Sequence, residues 1–190
     1  MTLDDHDKLL AAVRLLIEAG GDDPAREGLR ETPERFLRAW KEWTSGYDEK
    51  AMDVLKSFDD GAGGYDELVI VRDIPVYSLC EHHLAPFFGV AHIGYLPRER
   101  IVGLSKLNRL VGVLSRRLQV QERLTTQIAD ALQTALQPHG VAVMLECRHM
   151  CMESRGIRQP GAATITSAMR GTLIDDPRSR SEFLTLARPR

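Results

Sequence analysis

Two short stretches constrain this chain more than anything else in it: Cys80-Glu81-His82-His83 and, far downstream, His149-Met150-Cys151. Cysteine and histidine are the side chains that hold zinc, and the two-residue gap between Cys80 and His83 lets a tight turn aim both at one ion. Two ligands rarely suffice. If the turn works as half of a metal centre, the fold must return the second stretch to it.

The remaining composition sets the frame. The chain has 190 residues, 43% of them hydrophobic, enough for one domain or for one domain with an N-terminal appendage. A net charge of −2 gives no global reason to expect nucleic acid or a membrane surface as partner. Met1 to Lys8 is acidic and polar, unlike a signal peptide, and no apolar run approaches the length that spans a bilayer. Three cysteines, an odd number, argue against a disulfide framework and for a reducing cytoplasm in which thiols are free to bind metal.

Along the chain, Leu9, Leu10, Val13, Leu16 and Ile17 recur at helical spacing, and Gly20-Gly21 stops the pattern. Thr32 reads as the N-cap of a second helix with Pro33 in its first turn. Phe36, Leu37, Trp40 and Trp43 form its apolar face and Gly46 its stop. Asp59 to Gly64 reads as a loop. Leu68 to Val71 is a strand whose continuation Pro75 restricts to an edge or a break, and Phe87 to Tyr95 is another, with Gly89 and Gly94 as bulge positions. Ser105 is a good N-cap for a helix over Lys106 to Leu118. Leu124, Ile128, Ala131, Leu132 and Ala135 form a further stripe, and one kinked helix or two fit the stretch between. Val141 to Leu145 is a buried strand running into His149 and Cys151. Thr164 to Met169 is its hairpin partner across Gln159-Pro160-Gly161, and Asp176-Pro177 precedes a short final helix. Helices, strands, helices, strands make the chain α+β. We expect an N-terminal helical region over residues 1–60 and a catalytic domain over residues 61–190.

For the metal, His149 and Cys151 are two apart and would share a face in a strand. Cys147 is the obvious fourth protein ligand for a closed structural site. In an extended strand, however, it lies about 13 Å from Cys151, at roughly 3.3 Å per residue, too far to share one zinc. Only a bulge or a local helix would rescue it. The better set is Cys80, His83 and Cys151 with the fourth position open, the arrangement of catalytic rather than structural zinc. His82 and His149, each adjacent in sequence to a ligand, are candidates for acid–base work or for supporting a ligand from behind.

These stretches resemble GTP cyclohydrolase I, the first enzyme of folate and tetrahydrobiopterin synthesis. The likeness rests on Ser78 to His83, Gly103 to Leu107, Arg117 to Thr125, and His149 to Met152 with Arg155-Gly156. Glu31 to Arg35 and Glu182 to Leu186 add to it, so that nearly the whole chain is covered. The resemblance implies the tunnelling fold, an antiparallel sheet pooled into a barrel across subunits. It also implies a decamer of two pentamers with active sites at subunit interfaces. The implied reaction converts GTP and water to 7,8-dihydroneopterin triphosphate and formate, with one zinc ion per subunit on Cys80, His83 and Cys151. Water attacks carbon 8 of the guanine while His149 protonates nitrogen 7, a step that makes an aromatic carbon electrophilic. His82 serves later proton transfers at the ribose, with Ser105 nearby.

Glu122 suits the guanine, because one carboxylate accepts from both the ring nitrogen and the exocyclic amine. Gln121 is its expected neighbour at the base. Lys106 and Arg155, in the matching motifs, and Arg109, just beyond one of them, suit the triphosphate, with Arg35 and Arg38 approaching from a neighbouring helix. Cys147 stands where the family usually has alanine and should behave as a buried small hydrophobe. Two other functions fit the same scaffold: a silent zinc- or purine-binding protein, and a related enzyme acting on a different pterin or purine.

Overall fold

The computed structural model describes residues 3–59 and 64–187. Residues 60–63, the body of the expected glycine-rich loop and the place of the expected domain boundary, lie outside the described residues. The chain divides into two compact units, Met1–Thr44 and Ser45–Arg190.

The first unit holds α1 (Leu3–Ala19) and α2 (Thr32–Trp43). Leu10 and Val13 are buried, while Leu9 and Leu16 of the same stripe remain exposed. Phe36 stacks on Trp40 at 5.9 Å and meets Trp43 edge-on at 6.3 Å. Thr32 is not the N-cap. Glu31 already has helical dihedrals and its carbonyl accepts from Arg35 N at 3.1 Å, so the turn begins one residue earlier. The helix stops before Gly46, because the Thr44 hydroxyl donates to the Trp40 carbonyl at 2.8 Å and closes the last turn.

The second unit is a mixed layer structure. After a short 3-10 turn at Ser45–Tyr47 come α3 (Ala51–Val54), β1 (Ser57–Phe58), β2 (Val69–Cys80), β3 (Pro86–Leu96), β4 (Ile101–Val102) and α4 (Leu104–Ser115). They are followed by β5 (Leu118–Gln119), α5 (Gln121–Leu136), β6 (Gly140–His149), α6 (Met150–Glu153), β7 (Ala163–Gly171), α7 (Thr172–Asp175) and α8 (Pro177–Leu186). The main sheet has the order β5-β2-β3-β6-β7, antiparallel throughout except for the short parallel pairing of β5 with β2. The expected α+β class is the one observed.

Strand periodicity sorts the core onto two faces. Val141, Val143 and Leu145 point with Ile74, Val76, Phe87 and Ile93 into the cluster under α4 and α5, where Leu107, Leu110, Leu124, Ile128 and Leu132 are fully buried. Ala142 and Met144 face the other way and pack with Met169, Leu173 and Phe183. Each fully buried leucine, isoleucine or phenylalanine contributes roughly 1.5–3 kcal/mol, so the larger cluster dominates. Asp176 caps α8, its carboxylate accepting from the Arg178 and Ser179 amides at 3.1 Å each.

Pro75 takes the edge alternative: β2 continues through it, and the outer side of the strand there has no neighbour among the described residues, since β5 pairs only with Leu79 and Cys80. Three other local expectations change. The bulge falls in β2, where Arg72 and Asp73 (φ 58°) oppose the single residue His92, and not at Gly89 or Gly94, which keep regular register. Those glycines serve close approach instead: a Cβ on Gly89 would lie 1.9 Å from the Glu146 carbonyl oxygen, and one on Gly94 would lie 2.7 Å from the Phe183 ring. Ser105 lies inside α4, which starts at Leu104 and ends at Ser115. Leu118 belongs to β5, so the stretch up to Pro138 is two helices with a strand between them. Finally, β6 ends at His149 and the chain turns helical, so Cys151 rides on α6 rather than on the strand.

Close approach at Gly89 gives a stability test. Gly89→Ala, which drives a Cβ into backbone, should lower the urea midpoint by the equivalent of about 2 kcal/mol or more. Gly112→Ala, mid-helix with nothing within 4 Å of the added carbon, should be neutral or stabilising by about 0.5–1 kcal/mol. Equal midpoints for the two variants would refute the close-approach account.

Candidate active site

The hairpin between β2 and β3 builds the first half of the site. Cys80 N donates to Ala85 O and Leu84 N to Cys80 O, both at 2.8 Å, and Leu84 takes a left-handed conformation at φ 52° to close the turn. Glu81 N donates to Gln119 O at 3.0 Å, tying the turn to β5. The Glu81 carboxylate pairs with Arg123, whose Nε donates to Gln119 Oε1 at 2.9 Å. That guanidinium holds the Glu81 carboxyl below its ordinary value. A turn braced on two sides presents its side chains in fixed directions.

The second half arrives through strand register. β3 pairs with β6 so that Phe87 stands opposite His149, and α6 begins at once after it. The result places one nitrogen of His83 and the sulfurs of Cys80 and Cys151 within 4.8 Å of one another. Among the described residues no fourth cysteine, histidine or carboxylate joins this group. Burial and the neighbouring Cys80 push the Cys151 thiol up, with the Arg155 charge acting in the opposite direction. A neighbouring sulfur that raises the cost of ionising Cys151 marks a donor set that a divalent cation stabilises. The donors fit a soft or borderline metal such as zinc. The local helix that could have brought Cys147 into the group does form, yet Cys147 stays one strand position inside the core, 1% exposed, its thiol pushed up to about 12 by burial.

His149 is held from two sides. The Phe87 ring stacks on it at 4.8 Å and 9°, and its Nε2 lies 2.8 Å from Gln121 Oε1. Burial lowers its tendency to hold a proton, and the Glu122 charge opposes that shift. His82 is different. It is largely exposed, its Nδ1 3.8 Å from Cys80 Sγ and its Nε2 3.8 Å from Glu81 Oε1, and it does not converge with Cys151.

Glu122 is exposed in the first turn of α5, beside the buried Gln121. Gln121 Nε2 donates to Thr164 O at 2.9 Å, Thr166 Oγ1 at 3.0 Å and Leu145 O at 3.2 Å, so its side chain is spent within the protein. Ser105 and Arg109 are exposed and Lys106 half-buried on the first turns of α4, and Arg155 is exposed just after α6. Arg35 and Arg38 lie on α2 in the first unit, where Arg35 pairs with Glu31 at 2.5 Å. Spacing and motif reasoning missed Phe87, Arg123, Thr125 and Thr166. Phe87 left a signal as an aromatic in a strand next to the Cys80–His83 turn, and Arg123 and Thr125 as members of the matching stretch Arg117–Thr125.

With this geometry in view, the chain can be compared with known proteins. Residues 9–188 match the family model described as GTP cyclohydrolase I. The chain is 60% identical over 175 residues to a GTP cyclohydrolase 1 of Janthinobacterium sp. (strain Marseille), covering 92% of this chain and 88% of that protein. It is 61% identical over 172 residues to one of Nitrosospira multiformis, covering 90% of each. With one from Thermoanaerobacter pseudethanolicus it shares 51% identity over 183 residues, 96% of each chain. A match this long, running through both halves of the thiolate–imidazole cluster, means that the chain belongs to the GTP cyclohydrolase I family, whose fold is the tunnelling fold.

Proposed function

We propose that this enzyme opens and rebuilds the purine ring of GTP at the Cys80, His83 and Cys151 cluster, with zinc as the resident metal. The product is 7,8-dihydroneopterin triphosphate, released with formate. The observation that carries the metal reading is the convergence of two sulfurs and one imidazole nitrogen within 4.8 Å, with no fourth protein donor among the described residues. When bound, a zinc ion supplies a Lewis acid that makes water nucleophilic near neutral pH.

The chain's own residues do the rest. His149, held against Phe87, gives a proton to nitrogen 7 of the guanine as water adds at carbon 8. His82, exposed beside the cluster, is free for the later proton transfers at the ribose, with Ser105 supporting the rearrangement. Glu122 accepts from the ring nitrogen and the exocyclic amine of guanine, with Gln121 next to it. Lys106, Arg109 and Arg155 hold the triphosphate, and the positive end of the α4 dipole favours the same charge.

We assign the helical region to residues 1–60 and the catalytic tunnelling-fold domain to residues 61–190, working in the cytoplasm as a decamer of two pentamers with active sites between subunits. Support comes from the sheet edges. The outer side of β7 and most of that of β2 have no partner strand among the described residues, which suits a sheet continued by neighbouring copies. Three free thiols suit a reducing compartment, and no described helix is long and apolar enough to cross a membrane.

Purified, zinc-loaded protein given GTP should release formate and build dihydroneopterin absorbance. Chelation should abolish both and zinc should restore them. No product from the loaded protein refutes the functional reading, and product surviving verified metal removal refutes the metal's part in it. Metal analysis separates the cysteines: Cys151→Ser should lower metal affinity by about 10-fold or more, whereas Cys147→Ala should retain one equivalent per chain. His149→Ala should keep its zinc and lose about 100-fold or more in turnover. Loss of the metal from that variant would make His149 a ligand rather than an acid.

A further inference from the structure

Gln121 carries more polar contacts than any neighbour of the site, and their directions can be worked out. Thr125 Oγ1 lies 2.7 Å from the Gln121 backbone carbonyl, an acceptor only, so the Thr125 hydroxyl donates there. The 2.6 Å contact between Thr125 Oγ1 and Thr166 Oγ1 must then be donated by Thr166. Thr166, its proton committed, accepts from Gln121 Nε2 at 3.0 Å. The same Nε2 faces two backbone carbonyls, Thr164 O at 2.9 Å and Leu145 O at 3.2 Å. A flipped amide would set its oxygen against both carbonyls and against a hydroxyl with no proton left to give. The amide orientation is therefore fixed, and Oε1 is the atom turned to His149.

An amide oxygen accepts and does not donate. At 2.8 Å from Gln121 Oε1, His149 Nε2 must therefore carry a hydrogen. Gln121 is 1% exposed, so its amide oxygen is shielded from solvent, and Phe87, stacked at 9°, opposes rotation of the imidazole out of its plane. We propose that Gln121 is a positioning residue that locks His149 in the Nε2–H tautomer and leaves Nδ1 as the nitrogen that exchanges a proton with substrate. No hydrogen bond engages Nδ1 among the described residues.

The inference deepens the functional reading and rests on it for the identity of the acceptor. In the step, the Nδ1–H bond of doubly protonated His149 breaks and its electron pair stays on the ring. The lone pair of guanine nitrogen 7 takes the proton. His149 is left neutral with its hydrogen on Nε2, the form that Gln121 Oε1 stabilises. Without the lock, part of the neutral ring would hold its hydrogen on Nδ1 and turn an unmatched lone pair towards Gln121.

The test uses the zinc-loaded full chain labelled with 15N-histidine, with solid-state NMR and steady-state kinetics on GTP. The His149 signals are assigned by their loss in His149→Gln. In the wild-type protein the neutral ring should show a protonated Nε2 and an unprotonated Nδ1. In Gln121→Met both tautomers should appear, kcat should fall about 10–100-fold, and KM should stay within about threefold. A protonated Nδ1 in neutral wild-type His149 overturns the proposal, and that readout needs no variant to fold. So does a Gln121→Met enzyme whose kcat is unchanged while KM rises tenfold, because that pattern makes Gln121 a ligand for the base. Failure of the functional reading shows elsewhere, as His149→Ala retaining turnover, and leaves the tautomer measurement unaffected.

Discussion

The structure depends on the hydrogen-bonded ladder from β2 through β3 to β6. It converts a long separation in sequence into a side-chain contact: Cys80 ends β2, the hairpin returns as β3, and the register of β3 with β6 sets Phe87 opposite His149. Side chains alternate along a strand, so a slip of one residue would turn Val141, Val143 and Leu145 out of the core and His149 away from Phe87 together. The hydrophobic pattern that buries one face of β6 thus also fixes where Cys151 meets Cys80 and His83. Gly89, pressed against the Glu146 carbonyl, admits this approach because it has no Cβ.

Around that ladder, polar groups are placed by what can satisfy them. The turn that carries Cys80 and His83 hangs at the sheet edge and is braced through Glu81, Arg123 and Gln119. Behind His149, Gln121 and Thr125 are buried and Thr166 half-buried, and their polar groups are paired with one another and with backbone carbonyls, as polar groups shielded from water must be. The two downstream cysteines show the same rule in opposite directions. Cys147 sits among hydrocarbons, where its thiol is kept protonated, whereas Cys151 meets a second sulfur and an imidazole, where a cation is the natural counterpart.

Much of the fold was legible because its elements obey local periodicity. The helical stripe of Leu124, Ile128 and Leu132, the buried run from Val141 to Leu145 and the hairpin to Thr164–Met169 need no distant partner to be recognised. Local pattern misleads where a residue has two physical uses. The backbone freedom of Gly89 and Gly94 suggests bulges, but the sheet uses them for want of a side chain. Thr32 and Ser105 have the side chains of caps, and each lies just inside its helix because the preceding residue makes the turn first. Nothing between His149 and Cys151 marks the switch from strand to helical turn.

The sequence by itself determined the donor chemistry: two thiols and an imidazole, histidines beside them, a carboxylate and cations within recognisable motifs. Residue type carries that information, since only a few side chains bind metal or move protons near neutral pH. Tertiary structure alone decided which of these atoms meet and which way each one points. It left Cys147 in the core, brought Cys151 to Cys80 and His83, and turned Gln121 inward onto His149. Those outcomes follow from strand register and hydrogen-bond direction. Both are set by pairing between segments far apart in the chain, and no local pattern encodes them.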